Sequence, residues 1–264
     1  MSQPARYSLP DGTEVFSLND NETQYLYEEI FEQREYLPRD ELPERPVVVD
    51  LGANIGMFSL FAIKEWSPSR VIAVEPIAEL REVLGLNLRE FKEARIVPVA
   101  AGREREAGVF TYYPGFSIMS GRYCNATRDL ETAKSIARQK ARAMTREDRE
   151  YYEDVLDFLL TPLFSAVPER VDVWPLSEII RECGLTEIDL LKVDVEGSEL
   201  EVLEGIGDQD WPNIRNIIAE IDANIVDLQS VLTILGNRGM VCDLQQQDTY
   251  SDTGLHIIYA SRRP

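Results

Sequence analysis

Residues Val47–Phe61, VVVDLGANIGMFSLF, carry the clearest structural signal in this sequence. Val47–Ala53 is a nearly continuous apolar run rich in β-branched side chains, which is typical of a strand buried on both faces of a parallel sheet. Gly52 lacks a Cβ, so the backbone can turn sharply after the strand and approach a ligand closely. Gly56–Trp66 then predicts a helix. A buried strand, a glycine turn and a helix in this order predict an α/β fold.

Strands and helices alternate along most of the remaining chain. Further strands are predicted at Val71–Pro76, Arg95–Gly102, Asp189–Val195, Asn216–Asp222, Met240–Leu244 and Leu255–Ala260. Helices are predicted between them at Ile77–Phe91, Leu176–Cys183, Ser198–Ile206 and Ile225–Leu235. The polar loop Gln245–Gly254 is too short for a helical crossover, so the last two strands should form an antiparallel hairpin. The pattern predicts a doubly wound, seven-stranded sheet with an antiparallel last strand.

The chain divides into an N-terminal segment and one larger domain. Thr23–Arg34 places apolar side chains at helical spacing, and three prolines then punctuate a linker that leads into the first buried strand. We therefore predict an N-terminal helical segment and linker over residues 1–46, and the domain itself over residues 47–264.

An insertion at about residues 112–171 interrupts the alternation. Its first part, Pro114–Asn125, is rich in glycine and serine and predicts a loop. Helices at Arg128–Ala143 and Arg146–Leu160 are predicted to follow, where a simple crossover would need only one helix. We expect these helices to form a cap over one end of the sheet.

The composition excludes several classes of protein. The chain has 264 residues, is 44% hydrophobic and carries a net charge of −20. A protein that binds nucleic acid needs a basic surface to contact phosphates, so we expect no nucleic acid partner. No apolar run reaches the roughly 18 residues that span a bilayer, and the polar start is unlike a signal peptide. Three widely separated cysteines fit the reducing cytoplasm, where we predict that the protein resides.

The residues around the first glycine turn predict a site for an adenosine-bearing ligand, because open α/β sheets bind ligands beyond the carboxyl ends of their strands. A dinucleotide fingerprint would require glycine at the position of Asn54, so a nicotinamide-dependent oxidoreductase is disfavoured. Gly56 opens the following helix, where free backbone N–H groups gather. Glu75 ends the next strand, where a carboxylate can accept hydrogen bonds from both ribose hydroxyls. The alternative to a ligand site is that Gly52 serves only the backbone turn and that Glu75 is a solvated side chain at the end of a strand.

Four acidic residues end two neighbouring strands. Asp194 and Glu196 lie two residues apart on one strand, and Glu220 and Asp222 on the next, so each pair shares a face of the sheet. These carboxylates could take a proton from a hydroxyl nucleophile, hold an amino group of the cofactor or bind a divalent cation. A helix N-cap is an equally good role for Glu196. His256, the only histidine, is a candidate base, although a lone histidine in a strand is more often a packed residue.

Several segments resemble, in the same order, the FkbM family of methyltransferases. They are VVVDLGANIGMFSLF, VIAVEP, IMSGRY, DLLKVDVEGSELEVLEGI, DWPNIRNIIAEID and TGLHIIYASR. The resemblance covers residues 9–262 and is closest to members that O-methylate polyketides and related natural products. The DLGANIG turn is common to many methyltransferases, whereas DVEGSELEVLEG followed by WPNIRNIIAE is much more specific.

The resemblance implies a Rossmann-like class I methyltransferase fold and transfer of a methyl group from S-adenosylmethionine to a hydroxyl of a small molecule. A sugar, lipid or peptide acceptor and a non-catalytic, methyltransferase-like binding subunit are the alternatives. A divalent metal is possible at the four carboxylates but unsupported, because the sequence does not distinguish a cation site from a proton-handling pair.

The resemblance also assigns residues to the site. Those implied around the cofactor are Asp50, Gly52, Asn54, Gly56 and Glu75, with Asp194 beside the reacting centre. To the cofactor site we add Ala53, Pro76, Ala100 and Ala101. The family often has a histidine two residues after the glutamate that matches Glu220, and here that position is Asp222. Asp222, His256 or Asp194 would then substitute as the base.

Overall fold

The computed structural model describes residues 3–141, 145, 152, 155–246 and 254–262. Its strands are, in chain order, β1 (Ala5–Ser8), β2 (Glu14–Ser17), β3 (Val47–Leu51), β4 (Arg70–Val74), β5 (Ala94–Val97), β6 (Ala100–Gly102), β7 (Glu106–Tyr112), β8 (Val167–Pro175), β9 (Ile188–Val193), β10 (Ile214–Asp222), β11 (Val241–Gln245) and β12 (Leu255–Ser261). Its α-helices are α1 (Asp20–Tyr27), α2 (Met57–Trp66), α3 (Ala78–Leu88), α4 (Ala126–Lys140), α5 (Leu176–Cys183), α6 (Glu199–Glu204) and α7 (Leu228–Asn237). Residues 155–160 are also helical. Within these ranges no helix is both long and apolar enough to cross a membrane.

Seven of these strands form the main sheet, in the spatial order β11-β12-β10-β9-β3-β4-β5. The strands from β10 to β5 run parallel to one another, whereas β12 is antiparallel to both of its neighbours. The predicted doubly wound, seven-stranded sheet with an antiparallel last strand is therefore confirmed, in the strand order of class I methyltransferases. The direction of winding reverses between β3 and β9, which is where such sheets bind ligands.

The two faces of the main sheet bury separate hydrophobic cores, because side chains alternate between faces along each strand. Val48 and Ala73 pack in one cluster with α2 and α3, whereas Val49 and Ile72 pack in another with α5, α6 and α7. Helix α2 is buried along its first seven residues, Met57–Ile63. It can be apolar on nearly every side because the N-terminal segment covers the side turned away from the sheet.

The N-terminal segment contains a β-hairpin, β1 and β2, that the sequence analysis did not predict. The predicted bounds of the helix Thr23–Arg34 were wrong. The helix begins earlier because the side chain of Asn19 accepts hydrogen bonds from the N–H groups of Asn21 and Glu22, and it continues past α1 as a π-helical turn, Glu28–Glu32. Five side chains of the segment are buried in the cluster around α2: Leu9, Val15, Tyr27, Ile30 and Tyr36. The division of the chain after residue 46 stays a prediction.

The insertion is accompanied by a second sheet, in the order β6-β8-β7, that was not predicted. The prediction of a single strand at Arg95–Gly102 was wrong. Pro98 has no N–H to donate and divides the segment into β5, in the main sheet, and β6, in the second sheet. The first predicted cap helix corresponds to α4, and the last six residues of the second are helical. The structure does not describe residues 142 and 143 of the first predicted helix. It also does not describe residues 146–151, 153 and 154 of the second predicted helix.

Candidate active site

The first three residues after β3, Gly52–Asn54, include two in the left-handed region of backbone space. Gly52 has a φ of 76° and Asn54 has a φ of 49°. The N–H groups of Gly52 and Ala53 both donate to the carbonyl oxygen of Val74, at 3.0 Å each. These bonds tie the turn to the end of β4, so the segments that follow both strands border one cavity.

Glu75 follows β4, with its carboxylate directed back to the glycine turn. Oε2 accepts a 2.9 Å hydrogen bond from the N–H of Asn54, and Oε1 accepts a 2.8 Å bond from the N–H of Ile77. Burial raises the pKa of Glu75 to about 7, although both N–H donors favour the carboxylate. Each oxygen retains a second acceptor position, so Glu75 can still receive hydrogen bonds from ribose hydroxyls.

This cavity, the inner cavity, lies beyond the carboxyl ends of β3, β4 and β9. Residues predicted for the cofactor site that line it are Gly52, Ala53, Asn54, Glu75, Pro76, Ala100, Ala101 and Asp194. Asp50 and Gly56 do not line it. Asp50 is fully buried, and its Oδ2 accepts a 2.7 Å hydrogen bond from Ser59. Gly56 leaves space for Leu84 of α3, whose Cδ1 would lie 2.7 Å from a Cβ at position 56.

Helix α1 reaches the wall of the inner cavity through the buried side chain of Glu22. Its Oε2 accepts a 2.6 Å hydrogen bond from Ser117 Oγ, and its Oε1 accepts a 2.9 Å bond from the N–H of Ser117. Ser117 Oγ in turn accepts a 3.2 Å bond from Asn54 Nδ2. Burial raises the pKa of Glu22 to about 7 in spite of these donors. The N-terminal segment, the insertion and the glycine turn therefore meet at one wall, which no local sequence pattern indicates.

Lys192 is a functional candidate that the sequence analysis missed. It lies in register with Asp50 of β3 and two residues before Asp194, so the three side chains share a face of the sheet. Its Nζ lies 2.9 Å from Asp194 Oδ2 and 3.5 Å from Asp50 Oδ1, and donates to the carbonyl oxygen of Gly52 at 3.2 Å. Burial alone would lower the pKa of Lys192, but the two carboxylates raise it well above its usual value. The sequence signal that could have identified Lys192 is a charged side chain within an apolar strand.

Tyr36, also missed, joins the ends of β9 and β10. Its hydroxyl donates to Glu220 Oε2 at 2.8 Å and lies 3.5 Å from Asp194 Oδ2. Its buried ring packs edge-on against Phe58 of α2, with 5.6 Å between the ring centroids. Burial, followed by the carboxylates of Asp194 and Glu29, raises the pKa of Glu220 well above its usual value. Tyr36 of the linker therefore connects Asp194 and Glu220, two of the acidic residues predicted at the strand ends.

Glu196 follows β9 with a φ of 53°, which is uncommon for a residue with a side chain. Burial and the Asp194 carboxylate raise the pKa of Glu196 well above its usual value. The N-cap role that was the alternative for Glu196 is not observed, because Ser198 is the N-cap residue of α6 and makes no side-chain capping hydrogen bond. Glu199 Oε1 accepts hydrogen bonds from the N–H groups of Val195 and Gly197, at 3.2 and 3.0 Å. Glu199, at the start of α6, therefore connects the helix to the turn that contains Glu196.

A second cavity, the outer groove, meets the inner cavity at Asp194 and Glu196, which line both. Glu220 and Asp222 line the outer groove as well. Apolar side chains on its walls include Phe116, Met119, Leu160, Leu163 and Ile225. An apolar ligand in this groove would lie beside carboxylates at the point where the two cavities join.

Asp222 and His256, two of the predicted catalytic residues, have other partners. Asp222 Oδ1 accepts hydrogen bonds from the N–H and Nδ2 of Asn224, at 2.8 and 2.9 Å. His256 lies opposite Ile221 on β12, and its Nδ1 lies 2.7 Å from the carbonyl oxygen of Gly254. It lines neither the inner cavity nor the outer groove. In the described part of the chain, no three His, Cys, Asp or Glu side chains are grouped as metal ligands.

Comparison with known proteins connects this site to one family. The family model described as Methyltransferase FkbM domain matches residues 50–242. The chain is 36% identical to the 31-O-demethyl-FK506 methyltransferase FkbM of Streptomyces tacrolimicus, over 96% of this chain and 95% of that protein. It is 33% identical to part of the AMB antimetabolite synthetase AmbE of Pseudomonas aeruginosa, over 96% of this chain and 12% of that protein.

The fold has a counterpart among solved structures. A methyltransferase FkbM from Methylobacillus flagellatus KT superposes with a TM-score of 0.52 and 16% sequence identity. The match covers 88% of this chain and 47% of that chain. At this level of identity the likeness concerns the fold alone.

Proposed function

Because the chain belongs to the FkbM family of methyltransferases, we propose that this S-adenosylmethionine-dependent enzyme methylates a hydroxyl oxygen of a small molecule. The observation that carries the proposal is the position of Asp194, which lines both the inner cavity and the outer groove. Methyl transfer is an in-line displacement, so donor and acceptor must meet at one point in a fixed orientation. The junction at Asp194 is such a point.

The residues of the inner cavity fit the cofactor. Gly52 presents bare backbone, and Glu75 offers acceptor positions for ribose hydroxyls. Ser198 Oγ is buried and has no hydrogen-bond partner among the described residues, so it can both donate to and accept from a ligand in the cavity that it lines. When bound, S-adenosylmethionine supplies a methyl group that is already activated by its positively charged sulfur. We expect the ribose to bind at Glu75 and the reacting end to point towards Asp194.

The carboxylates at the junction would handle the proton. As the acceptor oxygen bonds to the methyl carbon, the bond between that carbon and sulfur breaks, and a carboxylate takes the hydroxyl proton. Glu220 suits this role because its raised pKa makes it a stronger base than an ordinary carboxylate. Lys192 holds Asp194 in place, and the apolar walls of the outer groove exclude water. The products are the methyl ether and S-adenosylhomocysteine.

The walls of the outer groove favour an acceptor with an extended apolar skeleton, such as a polyketide or a related natural product. The name of the Streptomyces tacrolimicus relative, an O-demethyl-FK506 methyltransferase, supports this class. Sugar, lipid and peptide acceptors are the alternatives. The cytoplasmic location and the small-molecule partner also belong to this proposal.

Calorimetric titration with S-adenosylhomocysteine, and with NADH for comparison, tests the cofactor. We expect the first compound alone to bind, and Glu75→Gln to weaken binding at least tenfold while the exposed Glu82→Gln leaves it unchanged. Transfer of a labelled methyl group to hydroxylated polyketides, sugars, lipids and peptides then identifies the acceptor. A label that survives base and is located on oxygen by the NMR shift of the new methyl group is an ether, as proposed, whereas a base-labile ester or a methyl group on nitrogen would contradict O-methylation of a hydroxyl.

A further inference from the structure

Tyr36 lies in the linker that precedes the matched family domain of residues 50–242, yet it contacts the centre of the site. Its hydroxyl donates to Glu220 Oε2 at 2.8 Å. Among the described residues, no donor forms a hydrogen bond with Glu220 Oε1. Tyr36 also lines the inner cavity, whereas Glu220 lines the outer groove, so the hydrogen bond spans the wall between them.

The position of Tyr36 is fixed by contacts on several sides. Its ring packs edge-on against Phe58, and Lys192 Nζ lies 5.3 Å from the ring centroid. The carbonyl oxygen of the preceding residue, Glu35, accepts a 2.6 Å hydrogen bond from the hydroxyl of Tyr259 on β12. Because the aromatic ring and the backbone are both held, the phenol oxygen has little freedom to move away from Glu220.

We propose that Tyr36 is a positioning residue for methyl transfer: its hydroxyl holds one oxygen of Glu220 and leaves the other to receive the proton of the acceptor. This inference rests on the proposed function for its catalytic consequence, and on the hydrogen bond itself for its physical effect. It makes the N-terminal linker a working part of the site, although the linker lies outside the matched family domain.

The ionisation of Glu220 depends on charges from each element around it. The groups that face it are Asp194 and Lys192 of β9 and its end, Glu196 of the following turn, Glu29 of the π-helical turn, Asp222 of its own strand and Tyr36 of the linker. The neighbouring carboxylates favour the protonated form of Glu220, whereas Lys192 and the Tyr36 hydroxyl favour the charged form. Removing the hydroxyl should therefore allow Glu220 to keep its proton to higher pH.

The test compares Tyr36→Phe with Tyr113→Phe. Both variants remove one buried tyrosine hydroxyl and keep the ring, but Tyr113 donates to Asp129 Oδ2 at 2.9 Å, so only the first variant removes a partner of Glu220. Protein labelled with ¹³C at glutamate side-chain carboxyls is titrated by NMR, and the Glu220 signal is identified by its loss in Glu220→Gln. We expect the Glu220 midpoint to rise by about one pH unit in Tyr36→Phe and to stay unchanged in Tyr113→Phe. No shift in Tyr36→Phe, or the same shift in both variants, overturns the proposal.

Kinetics add a second readout once an acceptor is identified. In Tyr36→Phe the acidic limb of the kcat profile should move to higher pH, and kcat at neutral pH should fall about tenfold with the KM for S-adenosylmethionine unchanged. An unchanged profile overturns the positioning role. The NMR titration needs neither cofactor nor acceptor, so a failure of the proposed methyl transfer remains distinguishable from a failure of this inference.

Discussion

Lys192 and Asp194 form an ion pair at the boundary between the hydrophobic core and the inner cavity, with 2.9 Å between Nζ and Oδ2. The lysine side chain is 5% exposed and the aspartate side chain 24% exposed. A buried ammonium requires nearby anions and acceptors, which Asp50, Asp194 and the carbonyl oxygen of Gly52 provide. Lys192 therefore holds the glycine turn and the proposed reacting centre at a fixed separation.

Replacing this lysine should destabilise the fold. Lys192→Met leaves the carboxyl of Asp50 fully buried without its cation, so we expect a loss of about 3 kcal/mol in the free energy of unfolding. Chemical denaturation monitored by fluorescence measures the loss. Lys64→Met is the matched control, because Lys64 is 40% exposed and pairs with Asp11 at the surface, where such pairs contribute less than about 1 kcal/mol. Equal losses in the two variants would contradict this account.

Gly52 should not tolerate a side chain. An ideal Cβ at this position would lie 1.7 Å from the backbone oxygen of Asp194, so the ends of β3 and β9 would have to separate. We expect Gly52→Ala to lose more than about 3 kcal/mol of stability and its affinity for S-adenosylhomocysteine. Gly12→Ala is the control. Gly12 also has a positive φ, 83°, but nothing lies within 4 Å of its Cβ position, so only about 1 kcal/mol of backbone strain is expected. Thermal unfolding of both variants measures the two losses of stability, and equal losses would contradict this explanation.

The stability of the protein should fall as the pH rises towards neutrality. The pKa of Glu22 and of Glu75 is about 7 in the folded protein because both side chains are buried, against 4.5 for the free group. A group whose folded pKa is raised contributes stability that is complete below the unfolded pKa and is lost as the pH rises through the folded pKa. We therefore expect stability to decline between pH 4.5 and 7.

Glu22→Gln should reduce this decline, because the amide has no proton to release. Relative to the parent protein we expect a gain of about 1–2 kcal/mol at pH 8 and none at pH 4.5, after allowance for the weaker hydrogen bonds to Ser117. Denaturation curves at the two pH values measure the difference. The exposed Glu32→Gln should show no such change with pH. A variant whose stability tracks that of the parent at both pH values would show that Glu22 is ionised throughout.

Asp194→Asn should separate catalysis from cofactor binding. The amide keeps the size of the side chain but removes the negative charge at the proposed reacting centre and no longer neutralises Lys192. We expect turnover to fall about 100-fold or more, while S-adenosylhomocysteine still binds within about tenfold of the parent affinity. Asp172→Asn, on the exposed side of β8, is the control. Near-normal turnover in Asp194→Asn would remove this residue from the mechanism.

The parts of the site that could be predicted were those encoded by neighbouring residues. Gly52, Asn54 and Glu75 each follow a recognisable buried strand, and parallel strands bring their carboxyl ends to one edge. Asp194 and Glu220 were predicted in the same way, from their positions at the ends of two neighbouring strands. Tyr36 could not be found, because its partner Glu220 is 184 residues away and the intervening linker has no periodic pattern.

The sequence by itself determined the order of strands and helices, the antiparallel edge and the place of the glycine turn after β3, since apolar runs, glycine turns and loop lengths are local properties. The tertiary structure alone decided which charged groups are neighbours and how deeply they are buried. Those two quantities set the ionisation of Glu22, Lys192 and Glu220, because the energy of a charge depends on its distance from other charges and on the water that surrounds it.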